Sequence, residues 1–541
     1  GTELQDEDQI SVRGQLRLDL DSSEWLLSAD YMDDDRADMG RTPVANNAPI
    51  TLIAAANGVT KARQQASPWD GFSKREAYGI SLQGDIEFDN GILTSITAHR
   101  HNEADWEMQS VGAGLGAIGL PFDEVIDDII EDIDTFSQEL RWTSTLDGDI
   151  NYTAGFFYFH EETDRTEQFR ITAAGTYGPG FVQTALGSQA LIGNEYTRTQ
   201  NETNSYAGYG QADWKFREDW NLTVGLRFTY DEKDYIATAA DCGNLPATGP
   251  FAAFPACAGF GGSLNIVSES FTVSPSDNWD ELSYKASVQY FPNDDVMLYG
   301  SVTTGYKAGG FAGSQGVESS ASTPVAPETA INYELGFKGD LFDNTLRLNM
   351  TGFYTDYEDL QIVRFGPVPG SAFGTFQTTN IGQADIYGVE IEWGWYPTEN
   401  IRFLGNYAYM DTEVTGLLIE TTGGIVDASG SNLRQAPESS WNGIVGYNMP
   451  TSSGTFDAQI EFSYMDEQIT DYVDQRTVVQ QHELLDARLA WTSNDEHWEV
   501  AIWGKNLTKE NYISHSYVIG PGVVGVWGPP RTYGVTASYS Y

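Results

Sequence analysis

The segment from Trp220 to Tyr230, WNLTVGLRFTY, decides the fold class. Every second residue in it is apolar or aromatic, and the residues between are polar or small. Alternation with a period of two is typical of a β-strand whose two faces meet different surroundings. The sequence therefore predicts a strand with two unlike faces. The apolar face carries Leu222, Val224, Leu226 and Phe228, and the opposite face carries Arg227 and Thr229.

The same alternation returns at Leu346–Met350 and at the C-terminus, where Tyr533, Val535, Ala537, Tyr539 and Tyr541 alternate with small or polar residues. Long strands with aromatic residues near their ends favour a lipid-facing apolar band bordered by aromatic girdles, around a polar interior. We therefore predict an all-β protein that folds as a transmembrane antiparallel meander β-barrel. Its apolar faces should point outward to lipid.

Short polar turns alternate with mostly longer connections along the chain. Asp21–Ser23 and Asp89–Gly91 are two of nine such turns, and 34–73 and 237–278 are two of nine long loops. Short periplasmic turns and long extracellular loops distinguish the two rims of outer-membrane barrels. Eighteen connections predict about nineteen strands in this chain.

An odd number of strands has a consequence for domain organisation. Single-chain bacterial barrels have an even strand number, and plugged outer-membrane transporters have about 22 strands. We therefore expect residues 1–541 to be one outer-membrane β-barrel that is N-terminally incomplete, with a plug and about three strands missing. The last strand should then not close the barrel on residues 8–20.

Composition excludes several other classes. The 541 residues include 29 Lys and Arg against 78 Asp and Glu, a formal net charge of −49. Such an acidic surface repels phosphate, so no nucleic-acid partner is expected. The aromatic content of 13% is too high for a disordered acidic chain. No run of about 18 apolar residues is present, so the sequence predicts no transmembrane helix.

Five further segments follow one another along the chain: Tyr299–Phe311 (YGSVTTGYKAGGF), Asn332–Lys338 (NYELGFK), Gly352–Tyr357 (GFYTDY), Tyr387–Ile391 (YGVEI) and Gly504–Leu507 (GKNL). In this order they resemble the barrel of TonB-dependent receptors of proteobacteria. The resemblance extends from about residue 8 to the terminal Tyr541.

The resemblance implies active, TonB-coupled uptake of a scarce small-molecule ligand across the outer membrane of a Gram-negative bacterium. The ligand would be a siderophore, a saccharide or another small organic molecule. In the family, TonB acts through an N-terminal plug, which is not visible in this sequence. A passive porin or a surface-exposed binding barrel is the alternative function. No nucleophile elbow, phosphate loop or metalloprotease motif is present, so we expect neither an enzyme nor a cofactor.

The resemblance also assigns a role to the C-terminal strand. In the family, a terminal strand that ends on an aromatic residue is the signal that the barrel-assembly machinery reads before insertion into outer-membrane lipid. The residues that would form this signal here are Tyr533, Val535, Tyr539 and Tyr541.

Two cysteines, Cys242 and Cys257, lie fifteen residues apart in one Gly- and Pro-rich predicted loop. A loop on the cell surface meets an oxidising environment, and these are the only cysteines of the chain. We therefore predict a disulfide between them, which would stabilise the fold by about 3 kcal/mol in the loop-entropy description. The alternative is two unpaired thiols.

Histidines and runs of acidic residues are the candidate metal ligands of this sequence. His99 and His101 share one face of a predicted strand and could ligate a metal, but no carboxylate or cysteine falls at a ligand spacing that would make such a site strong. The sequence therefore predicts no metal site, and it places both histidines in the lumen or in a girdle. The run Asp123–Asp134 has apolar residues at helical spacing, which predicts a short extracellular helix. Its carboxylates would bind Ca²⁺ or form a solvated acidic face.

Aromatic residues in or beside the long loops are the candidates for ligand contact. Such side chains can grip a ring or a sugar, and they can equally pack within a loop or a girdle. The candidates are Trp69, Trp106, Tyr177, Phe365 and Trp527.

Overall fold

The structure is a computed structural model in which most of the chain is described. The described residues are 7–37, 41–43, 71–109, 122–173, 191–241, 270–312, 317–367, 374–380, 382–421, 424–473, 477–519 and 522–540. Cys242, Cys257, Trp69, Tyr177 and Tyr541 lie outside them. The predicted disulfide and the terminal aromatic residue therefore stay predictions.

A single large antiparallel sheet forms the wall of the molecule. Its strands, in chain order, are β1 Glu7–Leu20, β2 Ser23–Ala37, β4 Phe72–Phe88, β5 Gly91–Gln109, β6 Phe122–Ser144, β7 Ile150–Ala173, β8 Leu191–Arg217, β9 Trp220–Asp241, β10 Phe271–Val273, β11 Ser276–Asn293, β12 Val296–Lys307, β13 Glu328–Leu341, β14 Leu346–Glu358, β17 Gln383–Trp395, β18 Ile401–Thr415, β21 Ser439–Thr451, β22 Gly454–Met465, β23 His482–Ser493, β24 Trp498–Lys505 and β27 Thr532–Tyr539.

The remaining elements belong to the long connections. They are β3 Arg41–Pro43, α1 Glu318–Ala321, β15 Gln361–Pro367, β16 Gly374–Asn380, β19 Leu418–Thr421, β20 Gly424–Asp427, β25 Ile513–Ile519 and β26 Gly522–Trp527. No helix in the described part of the chain has the length and hydrophobicity needed to cross a bilayer.

The predicted strand number and meander order are confirmed. β10 and β11 both pair with β9 and are separated by only two residues, so they form one interrupted strand. The twenty strands of the sheet therefore make nineteen crossings of the wall. Each crossing pairs with its neighbours along the chain, and the nine short turns fall where the sequence predicted them.

The predicted helix at Asp123–Asp134 is wrong. This run lies inside β6, and its residues from Ile126 to Asp134 pair one by one with both β5 and β7. Strand pairing therefore holds the backbone of this part of the run, and its apolar residues divide between the two faces. Ile129 is buried, whereas Ile130 is 48% exposed. The segment forms a strand because hydrogen bonding to two long adjacent strands outweighs the helical spacing of its apolar residues.

The two faces of the wall differ as the alternation predicts. On β9, Val224, Leu226 and Phe228 are about half exposed on the outer face, whereas Thr229 is buried on the opposite face. Arg227 also lies on the inner face, where its guanidinium carbon is 5.8 Å from the ring centre of Tyr209. The apolar band therefore faces outward, and the polar side chains line the lumen.

Aromatic girdles border the apolar band at both rims. On the periplasmic side, Trp220 stacks on Tyr290 with ring centres 4.5 Å apart. On the extracellular side, the rings of Tyr158 and Tyr206 lie 5.1 Å apart. Amphipathic rings at both edges of an apolar band are typical of proteins that sit in a bilayer.

The first and last strands leave two edges in the described sheet. β1 pairs with β2 and β27 pairs with β24, and within the described ranges neither edge pairs with the other. The expectation that β27 does not close on residues 8–20 is therefore met. Beyond the membrane, β3 from the first long connection pairs with β26 from the last one. The extracellular connections thus join the two ends of the sheet.

One side of the barrel wall is much taller than the other. β8 has 27 residues and β7 has 24, whereas the strands from β12 onward have at most 15. A tilted strand needs only about 9–11 residues to cross a membrane. β5 to β9 therefore extend well above the outer leaflet and form one flank of the extracellular mouth.

Candidate ligand-binding site

The inner face of the tall flank carries a polar site near the mouth. Directly opposite residues of paired strands share a face, so the register fixes which side chains meet. Arg165 on β7 is opposite Glu131 on β6 and Thr199 on β8, and Thr199 is opposite Ala237 on β9. Arg165 thus shares the inner face with the outer end of β9.

Arg165 is held between two carboxylates. Its Nη1 donates to Glu131 Oε2 and its Nη2 donates to Glu167 Oε2, each at 3.2 Å. Its guanidinium carbon lies 5.7 Å from the ring centre of Trp106 on β5. The Nε atom is buried and has no hydrogen-bond acceptor among the described residues. The two carboxylates accept from two of the five N–H groups of the guanidinium, so donors remain beside an aromatic face.

An aromatic stack flanks this arginine on β9. Tyr235 is buried, and its ring is nearly parallel to that of Phe311, with centres 5.1 Å apart. Its hydroxyl donates to the carbonyl oxygen of Ala312 at 2.5 Å. Trp279 of β11 meets Phe311 edge-on at 6.5 Å. The stack fixes the rings in place at the inner wall.

Two glycines explain why the segment before Phe311 has its sequence. A Cβ at Gly309 would lie 2.3 Å from the indole of Trp279, closer than any side chain could approach. A Cβ at Gly310 would come within 3.2 Å of the Lys233 ammonium, and the Gly310 backbone bridges to Val325. Small residues are therefore needed for Phe311 to reach Tyr235.

A second apolar cluster lies above the strands β17 and β18. The hairpins β15–β16 and β19–β20 bury Ile362, Leu417 and Ile419 against Val414, and Tyr472 joins them. The guanidinium carbon of Arg434 lies 5.3 Å from the Tyr472 ring centre. Burial raises the pKa of the Tyr472 phenol, and the nearby Arg434 charge opposes that rise. These connections are packed against the wall by an apolar core of their own.

The structure separates the five aromatic candidates. Trp106 lies near the end of β5 on the inner face beside Arg165. Trp527 ends β26, in the small sheet that joins the first and last connections. Phe365 lies in β15, and its side chain is outside the description, as are Trp69 and Tyr177 altogether. One of the five therefore belongs to the arginine site.

Sequence reasoning missed Arg165, Lys233, Tyr235 and Trp279. The signal was available for two of them, because Lys233 and Tyr235 continue the inward-facing positions that begin at Arg227 and Thr229. Continuing the alternation from Thr229 in steps of two residues would have identified both. Arg165 needed the register between β6 and β7, which the sequence does not display.

Comparison with known proteins gives the family. Residues 12–507 match the family model described as "TonB dependent receptor-like, beta-barrel". The match covers most of the chain, which therefore belongs to this family of Gram-negative outer-membrane receptor barrels.

Relatives of known name are receptors. The chain is 24% identical over 346 residues to the pesticin receptor of Yersinia pestis, which covers 62% of this chain and 43% of that protein. It is 22% identical over 375 residues to the probable TonB-dependent siderophore receptor PiuA of Acinetobacter baumannii, covering 64% of this chain and 45% of the relative. The chain thus spans less than half the length of these relatives. Both relatives are named as receptors, and neither is named as an enzyme.

Solved structures share the fold. The ferric yersiniabactin uptake receptor FyuA from Yersinia pestis superimposes with a TM-score of 0.76 at 17% identity, over 99% of this chain and 71% of that one. The siderophore receptor PiuA from Acinetobacter baumannii gives 0.73 at 17% identity, over 98% and 74%. At this identity the likeness establishes the barrel and not the ligand.

Proposed function

We propose that this protein takes up a small organic ligand of low net charge, of the siderophore class, across the outer membrane by TonB-coupled transport. The observation that carries the proposal is the partly exposed Arg165 guanidinium beside the Trp106 ring, on the inner wall at the extracellular mouth. An arginine beside an aromatic face suits a ligand that has both a ring and an acceptor oxygen. The siderophore receptor PiuA and the ferric yersiniabactin uptake receptor FyuA support the siderophore class by their names.

The charge of the site favours a weakly charged ligand. Arg165 is already paired with Glu131 and Glu167, so this group of three carries a net negative charge. Other inner-wall cations are paired too, as Arg100 is with Asp30 and Arg402 with Asp457. With a formal charge of −49 on the whole chain, a strongly anionic chelate would be repelled.

The partners follow from the same proposal. TonB would act through a plug. Further strands from outside residues 1–541 would pair with β1 and β27, because each unpaired backbone group in lipid costs several kcal/mol. The barrel-assembly machinery would read the terminal strand. In that strand Tyr533 and Val535 are 72% exposed and Tyr539 is 49% exposed on the lipid-facing side. Outer-membrane lipid would surround the apolar band.

Energy dependence tests this function against the passive porin. Cells that express the protein from its own gene should accumulate radiolabelled iron from at least one low-charge hydroxamate or phenolate chelate. Accumulation should stop when a protonophore collapses the inner-membrane gradient, and it should be absent in a strain without TonB. Transport that continues unchanged in both conditions would establish a passive pore. Failure with every chelate of the panel would remove the siderophore class.

A further inference from the structure

The outer face of the tall flank carries a cluster of histidines and aspartates that the uptake function does not use. His99 and His101 of β5 meet Asp132 and Asp134 of β6, with His101 directly opposite Asp134. The ring of His101 stacks on Tyr78 at 4.9 Å. Tyr78 is an outward-facing residue of β4, so the cluster lies at the extracellular edge of the apolar band.

The donor atoms are arranged as metal ligands would be. His101 Nδ1 is 3.2 Å from Asp134 Oδ1 and 3.8 Å from Asp132 Oδ1, and His99 Nε2 is 3.5 Å from Asp134 Oδ1. Three of these side chains, His101, Asp132 and Asp134, offer donor atoms that all lie within 4.8 Å of one another. With metal–ligand bonds of about 2.0–2.2 Å, two tetrahedral ligands are about 3.3–3.6 Å apart. The separations of 3.2 and 3.5 Å match that value, and Asp134 Oδ1 lies close to both histidines.

We propose that His99, His101, Asp132 and Asp134 bind a Zn²⁺ ion on the outer surface of the barrel. Two imidazole nitrogens beside two carboxylates suit zinc, whereas Ca²⁺ and Mg²⁺ take oxygen ligands. The ion cross-links β5 to β6 above the membrane, where lipid no longer surrounds the two strands.

The surroundings favour a cation at this place. Glu103 lies opposite Asp132, and Glu162 lies opposite Asp134 on the next strand. Asp164, also opposite Asp132, is already bound by Arg198. His101 is mostly buried under Tyr78, and the other three ligands are about half exposed, so an ion can enter from solvent.

A direct binding measurement tests the proposal. The protein, purified in detergent and freed of metal with a chelator, is titrated with Zn²⁺ in a calorimeter. We expect one saturable site per chain, and Co²⁺ in its place should give the strong visible absorption of a tetrahedral ion. Loss of a residue that only hydrogen-bonds to a metal ligand weakens metal binding about 10- to 100-fold. The double variant His101→Gln with Asp134→Asn removes two ligands, so its affinity for Zn²⁺ should fall by more than that. Asp132→Asn, on an exposed position, should weaken binding in the same direction.

The matched control is His160→Gln. His160 lies on the outer face one strand further, where its ring contacts Asn204 and Glu162, and it is not a proposed ligand. This variant should bind Zn²⁺ like the unchanged protein. Absence of saturable binding in the unchanged protein would overturn the proposal whatever the variants do. So would equal affinity in the double variant, because the histidine–aspartate contacts would then be ion pairs only.

Discussion

Leu226→Arg is expected to destabilise the barrel by about 2–4 kcal/mol, the cost of a cation at the bilayer midplane on the lipid face of a barrel. Leu226 is 54% exposed on the outer face of β9 and lies midway between Trp220 and Tyr230 of the two girdles. Urea-dependent unfolding of the protein in lipid vesicles measures the change.

The neighbouring position is the matched control for this experiment. Gly225 lies on the inner face, and a Cβ there would meet its nearest neighbour, Gln211, at an ordinary distance of 3.7 Å. Gly225→Arg puts the same charge into the polar lumen and should change stability by less than about 1 kcal/mol. Equal losses for both variants would show that β9 does not separate lipid from lumen.

Arg165→Ala is expected to weaken uptake of the transported chelate by about 10- to 150-fold at limiting concentration, because hydrogen bonds to a charged group contribute about 1.5–3 kcal/mol. The substitution removes the buried Nε donor and leaves Glu131 and Glu167 without their cation. The first change removes an attraction for an acceptor oxygen of the ligand, and the second leaves two carboxylates that repel it. Concentration-dependent uptake in whole cells separates weaker binding from a lower maximal rate.

Arg198→Ala supplies the comparison for Arg165. Arg198 precedes Thr199, the residue of β8 that lies opposite Arg165. Its side chain therefore points to the outer face, where it is paired with Asp164. Its loss should leave uptake within about twofold, since surface ion pairs contribute about 0–1 kcal/mol. If both variants transport alike with equal surface expression, the inner wall at Arg165 is not the ligand site.

The wall of the barrel was predictable because its pattern is local. The alternation from Trp220 to Tyr230 gave both the strand and its outward face, and turns such as Asp89–Gly91 gave the strand count. Period-two alternation across a bilayer leaves little choice of register, since a slip by one residue would turn Arg227 toward lipid.

What could not be predicted depends on which residues of different strands meet. The spacing of carboxylates along the chain indicated no strong metal site at His101, yet pairing of β5 with β6 sets Asp134 directly opposite. The wrong helix prediction for Asp123–Asp134 has the same cause. The spacing of apolar residues within a short segment contains no information about the two long strands that pair with it. The arginine site likewise joins three strands.

Accessibility of single spin labels along β9, in lipid vesicles, tests the lipid-spanning barrel most directly. Cys242 and Cys257 are replaced by alanine, and one labelled cysteine is placed in turn at each position from Asn221 to Thr229. The account predicts that Leu222, Val224, Leu226 and Phe228 are most accessible to oxygen dissolved in lipid. The positions between them should be most accessible to a water-soluble nickel complex, with a period of two. Accessibilities that rise and fall in phase along the segment would contradict it.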